Sequence, residues 1–449
     1  MRREEFEIST VDPAVSRRSR QTPGSESVLN RENVGNSSPR RKASLGFNAL
    51  CIGVLIVIVF AIVVLCVGFI IKYENEGEAV GKIDLFVDDL PSEQAVWFES
   101  NLAELRNAFR VKDNKRRAKN VVLFVALDSH EVTNGAPRPI WESFPHLAMF
   151  RTTQERPLAS FNPTSLFCGI EARSHTIGFD SAVEPWSDCV SMEHLTHRAP
   201  SVVQWAQDIG RRTGVITNGE IVDPFPAALY AHTPNASWVY STPDSVHCPD
   251  VRSQLLQGET GRQLNVIAGA LACPEEFCHE SFRHEWQARK NEDGSSYKIS
   301  TNVQDLLENE DDDWEYALGI YDQRVLAVPN AFHDLTLGAL HVLDSPEGFL
   351  LIAVVDPKVG ISIQELDVTV RSTLRKLSHA VDDSLVVVIR SDRGNDRPSP
   401  YATVHATGPM SHLLHRVHNQ TFLAHFVAYA ARIGRFRDSD LTNLVLKIF

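Results

Sequence analysis

Apolar runs and helical patterns alternate along most of the chain, and their order predicts a layered fold. Short, continuous runs of branched and aromatic residues are typical of strands that are buried on both faces. Such runs occur at residues 119–126, 213–217, 264–271, 348–355 and 383–389. Helical patterns separate them, and residues 95–109 show the three- and four-residue apolar spacing of an amphipathic helix. The alternation predicts an α/β fold, with a mostly parallel sheet that is covered by helices on both faces.

A different pattern occurs near the N-terminus, where residues 49–71 contain no charged side chain. A helix of this length spans about 35 Å, more than the roughly 30 Å hydrocarbon core of a bilayer. The run and the tail before it are too long for a cleaved signal peptide. Residues 40–42 are all basic, whereas Glu74, Glu76 and Glu78 follow the run. An excess of basic residues marks the cytoplasmic side, so we expect a single-pass type II membrane protein with a lumenal or extracellular ectodomain, in the plasma membrane by default.

These patterns divide the chain into four predicted parts. Residues 1–48 are polar with few large apolar side chains, which predicts a disordered, basic cytoplasmic tail. Residues 49–71 form the predicted transmembrane helix, residues 72–94 an acidic juxtamembrane linker, and residues 95–449 the ectodomain. The net charge of −13 argues against nucleic acid as a partner.

Cysteines and sequons agree with an ectodomain in an oxidising compartment. The ectodomain cysteines are Cys168, Cys189, Cys248, Cys273 and Cys278. The number is odd, so a disulfide framework would leave one thiol unpaired. The spacing of Cys273 and Cys278 predicts a local disulfide loop, because this segment offers too few ligands for a zinc site. Asn235-Ala-Ser and Asn419-Gln-Thr are sequons on the predicted lumenal side, where glycosylation is expected.

Several longer runs are more distinctive than the strand pattern. They are KNVVLFVA at 119–126, CGIEARSHTIG at 168–178, TGVITNGEIVDPFPAALYAHTPNASW at 213–238, GFLLIAVV at 348–355 and ATGPMSHLLHRVHNQTFLAHFVAYAA at 406–431. These runs resemble segments of animal alkaline phosphatases and occur in the same order, and the resemblance covers about residues 96–435. It implies the fold of that family. It also implies a disulfide between Cys189 and Cys248, with Cys168 unpaired.

The resemblance also implies where a catalytic site would lie. Alkaline phosphatases hydrolyse phosphomonoesters with a serine nucleophile, two zinc ions and a magnesium ion. In this chain the position of the serine is Ala159, and that of the metal-bridging aspartate is Leu127. The other matched positions are Asp223, Phe225, Val354, Val359, Ile363, Ser391, Asp392 and Arg397 for metal ligands, and Ala236 for the phosphate-binding arginine. Most of these side chains can neither attack a phosphoester nor bind a metal ion.

Three residues lie one position away from a place where an acid or a serine is needed, namely Asp128, Ser160 and Asp392. A one-residue slip along a strand turns a side chain to the opposite face, so these residues are poor substitutes. We therefore expect a catalytically inactive pseudophosphatase, without a cofactor, that binds an unknown protein or ligand partner. One alternative is a rearranged zinc- and magnesium-dependent hydrolase that uses Ser160 with Asp128, Asp223 and Asp392. Another is a structural subunit of a homodimer.

Overall fold

The computed structural model describes residues 55–68, 91–129, 138–151, 161–189, 196–272, 278–307, 314–356, 358–392 and 401–437. The chain divides into two compact units, Met1–Asn101 and Leu102–Phe449. In the first unit, residues 55–68 are helical and their side chains are exposed. None of the helices in the described ranges is long and apolar enough to span a bilayer. The predicted tail, the linker up to residue 90 and the rest of the predicted span lie outside the described residues.

The second unit contains a single sheet of ten strands in the part of the chain that the structure describes. The strands are β1 (Asn120–Ser129), β2 (His146–Arg151), β3 (Arg212–Glu220), β4 (Val266–Ala270), β5 (Tyr297–Ser300), β6 (Tyr316–Tyr321), β7 (Phe349–Val355), β8 (Ser384–Asp392), β9 (Tyr401–Thr407) and β10 (Arg416–Asn419). Besides the helical residues 55–68, the described α-helices are α1 (Ser92–Arg110), α2 (Pro163–Cys168), α3 (Val202–Gln207), α4 (Pro224–Ala227), α5 (Val251–Gln257), α6 (Glu259–Arg262), α7 (Cys278–Asp293), α8 (Gln323–Leu326), α9 (Ala331–Leu343), α10 (Ile363–Lys376) and α11 (Phe422–Ala431).

The sheet is mostly parallel, as the sequence predicts. The strand order is β10-β2-β9-β8-β1-β7-β3-β4-β6-β5. β9 is antiparallel to β2 and β8, whereas the other described pairs are parallel. The predicted apolar runs form β8, β1, β7, β3 and β4, which are adjacent in the centre. The pattern did not predict the outer strands. β2 and β9, for example, alternate buried and less buried residues and so lack a continuous apolar run.

Both faces of the sheet are buried. Along β1, Leu123 and Val125 belong to one buried cluster, while Phe124 and Ala126 belong to the other. Helices α3 and α11 contribute side chains to the first cluster, and α9 and α10 contribute to the second. Each fully buried aliphatic or aromatic side chain contributes roughly 1.5–3 kcal/mol to folding. The two helical layers therefore hold the central strands in place and leave their ends free to form a site.

The cysteines follow the expected pairing where the structure describes them. Cys189 and Cys248 form a disulfide, and Cys168 is free and buried. Burial raises the pKa of the Cys168 thiol to about 12, so the thiol is protonated and unreactive at neutral pH. Cys278 is also disulfide-bonded, and its predicted partner Cys273 lies outside the described residues.

The two predicted glycosylation sequons differ in exposure. Asn419 is exposed on β10. Asn235 is only 2% exposed, and its side-chain oxygen accepts hydrogen bonds from the backbone N–H and the hydroxyl of Ser237. The amide nitrogen of Asn235, which would carry the glycan, is buried. A glycan fits the folded chain at Asn419 but not at Asn235.

Candidate functional site

Several of the described positions matched to metal ligands of alkaline phosphatases lie at one edge of the sheet, at or just after the carboxyl ends of the central strands. β8, β1, β7 and β3 are parallel neighbours, so their carboxyl ends lie side by side. In this register Val354 of β7 pairs with Val125 of β1 and Thr217 of β3. Open parallel sheets bind ligands at this carboxyl edge. The described strand ends therefore lie where a parallel α/β sheet binds a ligand.

Apolar side chains occupy several of the matched positions. Val354 is 3% exposed and belongs to the core. Phe225 packs against the same core and meets the ring of Phe167 edge to face, with ring centroids 6.4 Å apart. Ile363, the first residue of α10, is buried in the cluster on the other face. These side chains have no lone pairs with which to bind a metal ion.

Asp223 occupies a position that is matched to a metal ligand, and its side chain is a carboxylate. This carboxylate forms a salt bridge with Lys358. Its Oδ2 accepts a hydrogen bond from Nζ of Lys358 at 3.1 Å. Burial raises the pKa of Asp223, the Lys358 ammonium lowers it, and the charge of Asp356 raises it further, with a net upward shift. The Asp223 carboxylate is thus held by a neighbouring cation in a partly desolvated place.

The loop that carries Lys358 is fixed by the end of β3. Asn218 Oδ1 accepts a hydrogen bond from the backbone N–H of Asp356 at 2.8 Å, and Asn218 Nδ2 donates to the carbonyl of Gly360 at 2.7 Å. The Asp356 carboxylate in turn accepts a hydrogen bond from the backbone N–H of Lys358 at 2.8 Å. A Cβ atom at Gly219 would lie 2.3 Å from Asp356 Oδ2, so the close approach of these segments requires glycine.

Glu220 adds a third carboxylate to this edge. Burial raises the pKa of Glu220, and the charge of Asp223 raises it further, whereas Lys358 lowers it. Burial alone would lower the pKa of Lys358, but the hydrogen bond and charge of Asp223, with the charges of Asp356 and Glu220, raise it overall. We call Glu220, Asp223, Asp356 and Lys358 the edge cluster; it combines three acids with one ammonium.

Sequence reasoning found only Asp223 of the edge cluster. A signal for two others was available, because Glu220 and Asp356 follow closely on the apolar runs at 213–217 and 348–355. Charged residues directly after buried parallel strands lie at the edge where ligands bind. Lys358 carries no comparable signal, since its role depends on a contact with a residue 135 positions away.

The residues proposed as slipped substitutes fall at the limits of the described structure. Ala159 and Ser160 lie outside the described residues. Asp128 and Asp392 lie at the ends of β1 and β8, where Ser129 and Asp392 are paired in register. Their side chains are outside the described part, so the alternative site of Ser160 with Asp128, Asp223 and Asp392 stays a hypothesis.

The described residues do not fit the two zinc ions and the magnesium ion of the family. Protein-bound zinc needs histidine, cysteine or carboxylate ligands, and magnesium needs oxygen ligands. Val354, Phe225 and Ile363 supply neither, and Asp223 is bonded to an ammonium group. Among the described side chains, no three of the His, Cys, Asp and Glu type are grouped so that they could hold a metal ion.

A cleft with a volume of about 530 Å³ opens at the same edge. It lies between the loop that follows β7 and the segment containing α8 and the start of α9. Its lining includes the apolar side chains of Leu326, Phe332 and Ile361, together with Val359 and Ile363 at matched positions. Asn218, Ser362 and Glu365 add polar groups to the wall. The edge thus provides a partly apolar cleft beside an acidic, lysine-bridged cluster.

Comparisons with known proteins agree with this geometry. The sequence matches the alkaline phosphatase family over residues 128–352, half of the chain. It is 28% identical to the membrane-bound alkaline phosphatase of Bombyx mori over 255 residues, 48% of this chain and 46% of the relative. It is 26% identical to the human tissue-nonspecific alkaline phosphatase over 198 residues, 38% of this chain and 37% of the relative. In these matches the chain spans less than half the length of the curated relatives.

A solved structure supports the same assignment at the level of the fold. The alkaline phosphatase of the Antarctic bacterium TAB5 superposes with a TM-score of 0.53 at 15% identity, covering 72% of this chain and all of that chain. Identity at this level is evidence for a shared fold and not for a shared activity. Sequence match, sheet order and the position of the site at the carboxyl edge point to the same conclusion. The chain is a member of the alkaline phosphatase family.

Proposed function

We propose that this protein is a single-pass type II membrane protein whose ectodomain binds a protein or ligand partner and does not hydrolyse phosphomonoesters. The observation that carries the proposal is the contact between Asp223 and Lys358, whose atoms Oδ2 and Nζ lie 3.1 Å apart. A carboxylate at a matched metal-ligand position is paired with a side-chain cation, while Val354 and Phe225 bring apolar bulk to neighbouring positions.

The charge of the edge also disfavours a phosphate ester. A phosphomonoester is a dianion near neutral pH, and here it would approach Glu220, Asp223 and Asp356. Two like charges 4 Å apart repel each other by about 4 kcal/mol at an effective dielectric constant near 20. The position of the phosphate-binding arginine is Ala236, whose backbone N–H is bonded to the carbonyl of His175 at 2.7 Å. Both features favour binding of an uncharged or cationic group over a phosphate.

The cleft is where such a partner would be bound. Its lining includes Val359 and Ile363, which occupy matched positions. It also includes Asn218, which binds the loop after β7. Its wall is mainly apolar, so an uncharged, partly apolar group would bury surface there. A ligand or a protruding side chain of a partner protein would lie beside the edge cluster.

Attachment to a membrane rests on residues 49–71. Apolar side chains of the helical residues 55–68 are strongly exposed, for example Leu55 at 64% and Phe60 at 69%. An apolar surface of this extent calls for lipid or another apolar partner. A protease-protection assay on microsomes tests the topology. An N-terminal epitope tag should be digested from the cytoplasmic side while the ectodomain is protected, and the reverse pattern contradicts the proposal.

The absence of hydrolysis is tested on the purified full-length chain in detergent. We expect no stoichiometric zinc or magnesium, and no turnover of an aryl phosphate above the uncatalysed rate. The alternative enzyme would instead use Ser160 with Asp128, Asp223 and Asp392. Stoichiometric zinc, with turnover that is lost in Ser160→Ala and kept in the exposed control Ser181→Ala, would overturn the proposal in favour of that hydrolase.

A second candidate, a structural homodimer, is favoured by the surface of α1. No residue of this helix is buried, and Trp97, Leu105 and Phe109 are 71%, 56% and 88% exposed. Their spacing places them on one side of the helix. Light scattering coupled to size exclusion should show a dimer that Trp97→Glu with Phe109→Glu converts to a monomer. A wild-type monomer at all concentrations contradicts this candidate.

A further inference from the structure

The two faces of the outer strands β2 and β10 differ in what covers them. β10 is an outer strand of the described sheet and pairs there with β2 alone. On one face, Phe150 and His418 are in register and meet edge to face. The His418 ring also stacks on Phe422 of α11, with ring centroids 4.0 Å apart. Since successive side chains of a strand point to opposite faces, the neighbours of Phe150 and His418 project from the other face.

The other face of these strands exposes apolar side chains. Leu147, Met149 and Val417 are 50%, 37% and 45% exposed. Met149 and Val417 are in register, and Leu147 lies two residues before Met149, so all three lie on one face of the sheet. An edge strand also presents unpaired backbone N–H and C=O groups, with which another chain can pair. We call these three side chains and the open side of β10 the outer edge surface.

The strand at the opposite side of the sheet is covered by the fold itself. Three of the four residues of β5 are half-buried and the fourth is buried. The Tyr297 ring meets Trp286 of α7 edge to face, with centroids 5.6 Å apart. At β10, three of the four residues are exposed. The outer edge surface therefore needs a cover that the described elements do not supply.

The sequon residue Asn419 lies on the outer edge surface. It is exposed, follows Val417 by two residues and pairs in register with Arg151 of β2. With a rise of about 3.3 Å per residue and strands about 4.8 Å apart, Val417 lies roughly 7 Å and Met149 roughly 8 Å from Asn419. Glycans on such sequons are bulky and solubilising. A glycan on Asn419 would therefore start beside the exposed apolar side chains and on their face of the sheet.

We propose that a glycan on Asn419 covers the outer edge surface and prevents it from pairing with a second copy of the chain. The inference rests on the lumenal or extracellular placement in the proposed function, because the glycan is added only there. It assigns this sequon the role of keeping copies apart at β10. That role is separate from partner binding at the cleft.

The experiment measures the association state of the full-length protein in detergent, after expression through the endoplasmic reticulum. Light scattering coupled to size exclusion is recorded over a range of protein concentrations. Asn419→Gln should form larger assemblies at a concentration roughly ten times lower than the wild type, because each copy buries its three apolar side chains in the contact. Each variant is compared with the wild type, so a dimer through α1 would be common to both.

The sequon can also be changed without altering Asn419. The Thr421 side chain makes no capping hydrogen bond at the start of α11, so substitution there should leave the fold intact. Thr421→Ala removes the sequon and should associate as Asn419→Gln does. Thr421→Ser keeps the sequon and should behave as the wild type. Enzymatic removal of the glycan from the folded wild type should reproduce the effect of Asn419→Gln.

A further pair of substitutions tests which surface associates. Adding Met149→Lys and Val417→Lys to Asn419→Gln should restore the association state of the wild type, because lysines on an edge strand oppose pairing. The matched control adds Val368→Lys and Val381→Lys, at positions that are 46% and 61% exposed on α10 and in the segment after it. This control should leave the assemblies of Asn419→Gln unchanged.

Three results would overturn the proposal. They are a wild type without a glycan on Asn419, an Asn419→Gln variant that associates no more than the wild type, and assemblies that persist when Met149→Lys and Val417→Lys are added. The proposed function fails on different measurements. Phosphatase turnover, or digestion of the ectodomain from the cytoplasmic side of microsomes, would contradict it, so the two failures are distinguishable.

Discussion

The side-chain oxygen of Asn218 accepts a hydrogen bond from the backbone N–H of Asp356 at 2.8 Å, and this bond joins the end of β3 to the loop after β7. The same side chain donates to the carbonyl of Gly360, so one buried amide holds both ends of the loop that carries Lys358. Asn265 makes a similar pair of bonds at the opposite edge, accepting from the N–H of Thr213 and donating to the carbonyl of Glu315. Asn265 is therefore a suitable control for substitutions of Asn218.

Asn218→Ala should lower the free energy of unfolding by about 2–4 kcal/mol, because two backbone groups lose their partners in a buried place. Hydrogen exchange at residues 356–360 should become faster. Asn265→Ala should cost a similar free energy without changing exchange in that loop. Denaturant unfolding and exchange measured by mass spectrometry check both. Unchanged exchange at 356–360 in Asn218→Ala would contradict the role assigned to this side chain.

Removal of the Cys189–Cys248 disulfide should destabilise the ectodomain strongly. The bond links residues 59 positions apart, and closing a loop of this length is worth roughly 4 kcal/mol in the chain-entropy model. The double variant Cys189→Ser with Cys248→Ser should therefore show a lower thermal midpoint. Cys168→Ala is the control, since it removes a buried thiol that forms no disulfide and adds no polar group. Equal midpoints for the double variant and the wild type would be inconsistent with this contribution.

Glycosylation should distinguish the two sequons. Asn419 is exposed, whereas the Asn235 amide nitrogen is enclosed by the fold. In protein expressed through the endoplasmic reticulum, Asn419→Gln should remove the mass of one glycan and Asn235→Gln should remove none. Gel mobility before and after enzymatic deglycosylation provides the measurement. A glycan found on Asn235 in folded protein would show that this segment is placed differently.

Acid should weaken the fold through His232. Burial lowers the pKa of this imidazole to about 4, although its bond to the Ala199 carbonyl opposes the shift. The unfolded chain takes up the proton near pH 6.5, before the folded chain does, so this contribution to stability is lost as the pH falls from about 6.5 toward 4. His232→Gln should reduce the loss by about 2–3 kcal/mol near pH 4.

The comparison between variant and wild type is needed because other groups titrate in the same range. Burial also lowers the pKa of His405 to about 4. Glu220 and Asp223 have raised pKa values and act in the opposite direction, since their folded forms take up protons first. His284→Gln, at an exposed position, serves as the control. Parallel pH profiles for His232→Gln and the wild type would contradict the assignment.

The sequence was sufficient to predict the central layer of the fold, and it also carries the hypothesis of an altered site. Continuous apolar runs identified β8, β1, β7, β3 and β4, because a strand covered on both faces needs apolar residues on both sides. The hypothesis of an altered site rests on residues such as Val354 and Phe225, because a side chain without a donor atom binds no metal in any conformation. Both inferences depend on residue type and local spacing alone.

Other properties depend on residues that are distant in the chain. The contact of Asp223 with Lys358 spans 135 positions, and it forms because β3 and β7 are neighbours in the sheet. Burial of Asn235 within a sequon likewise depends on the surrounding chain and not on the three residues of the motif. Local sequence patterns indicate which faces of a strand or helix are buried. The pairing of charges and the burial of polar groups depend instead on which distant segments the fold brings into contact.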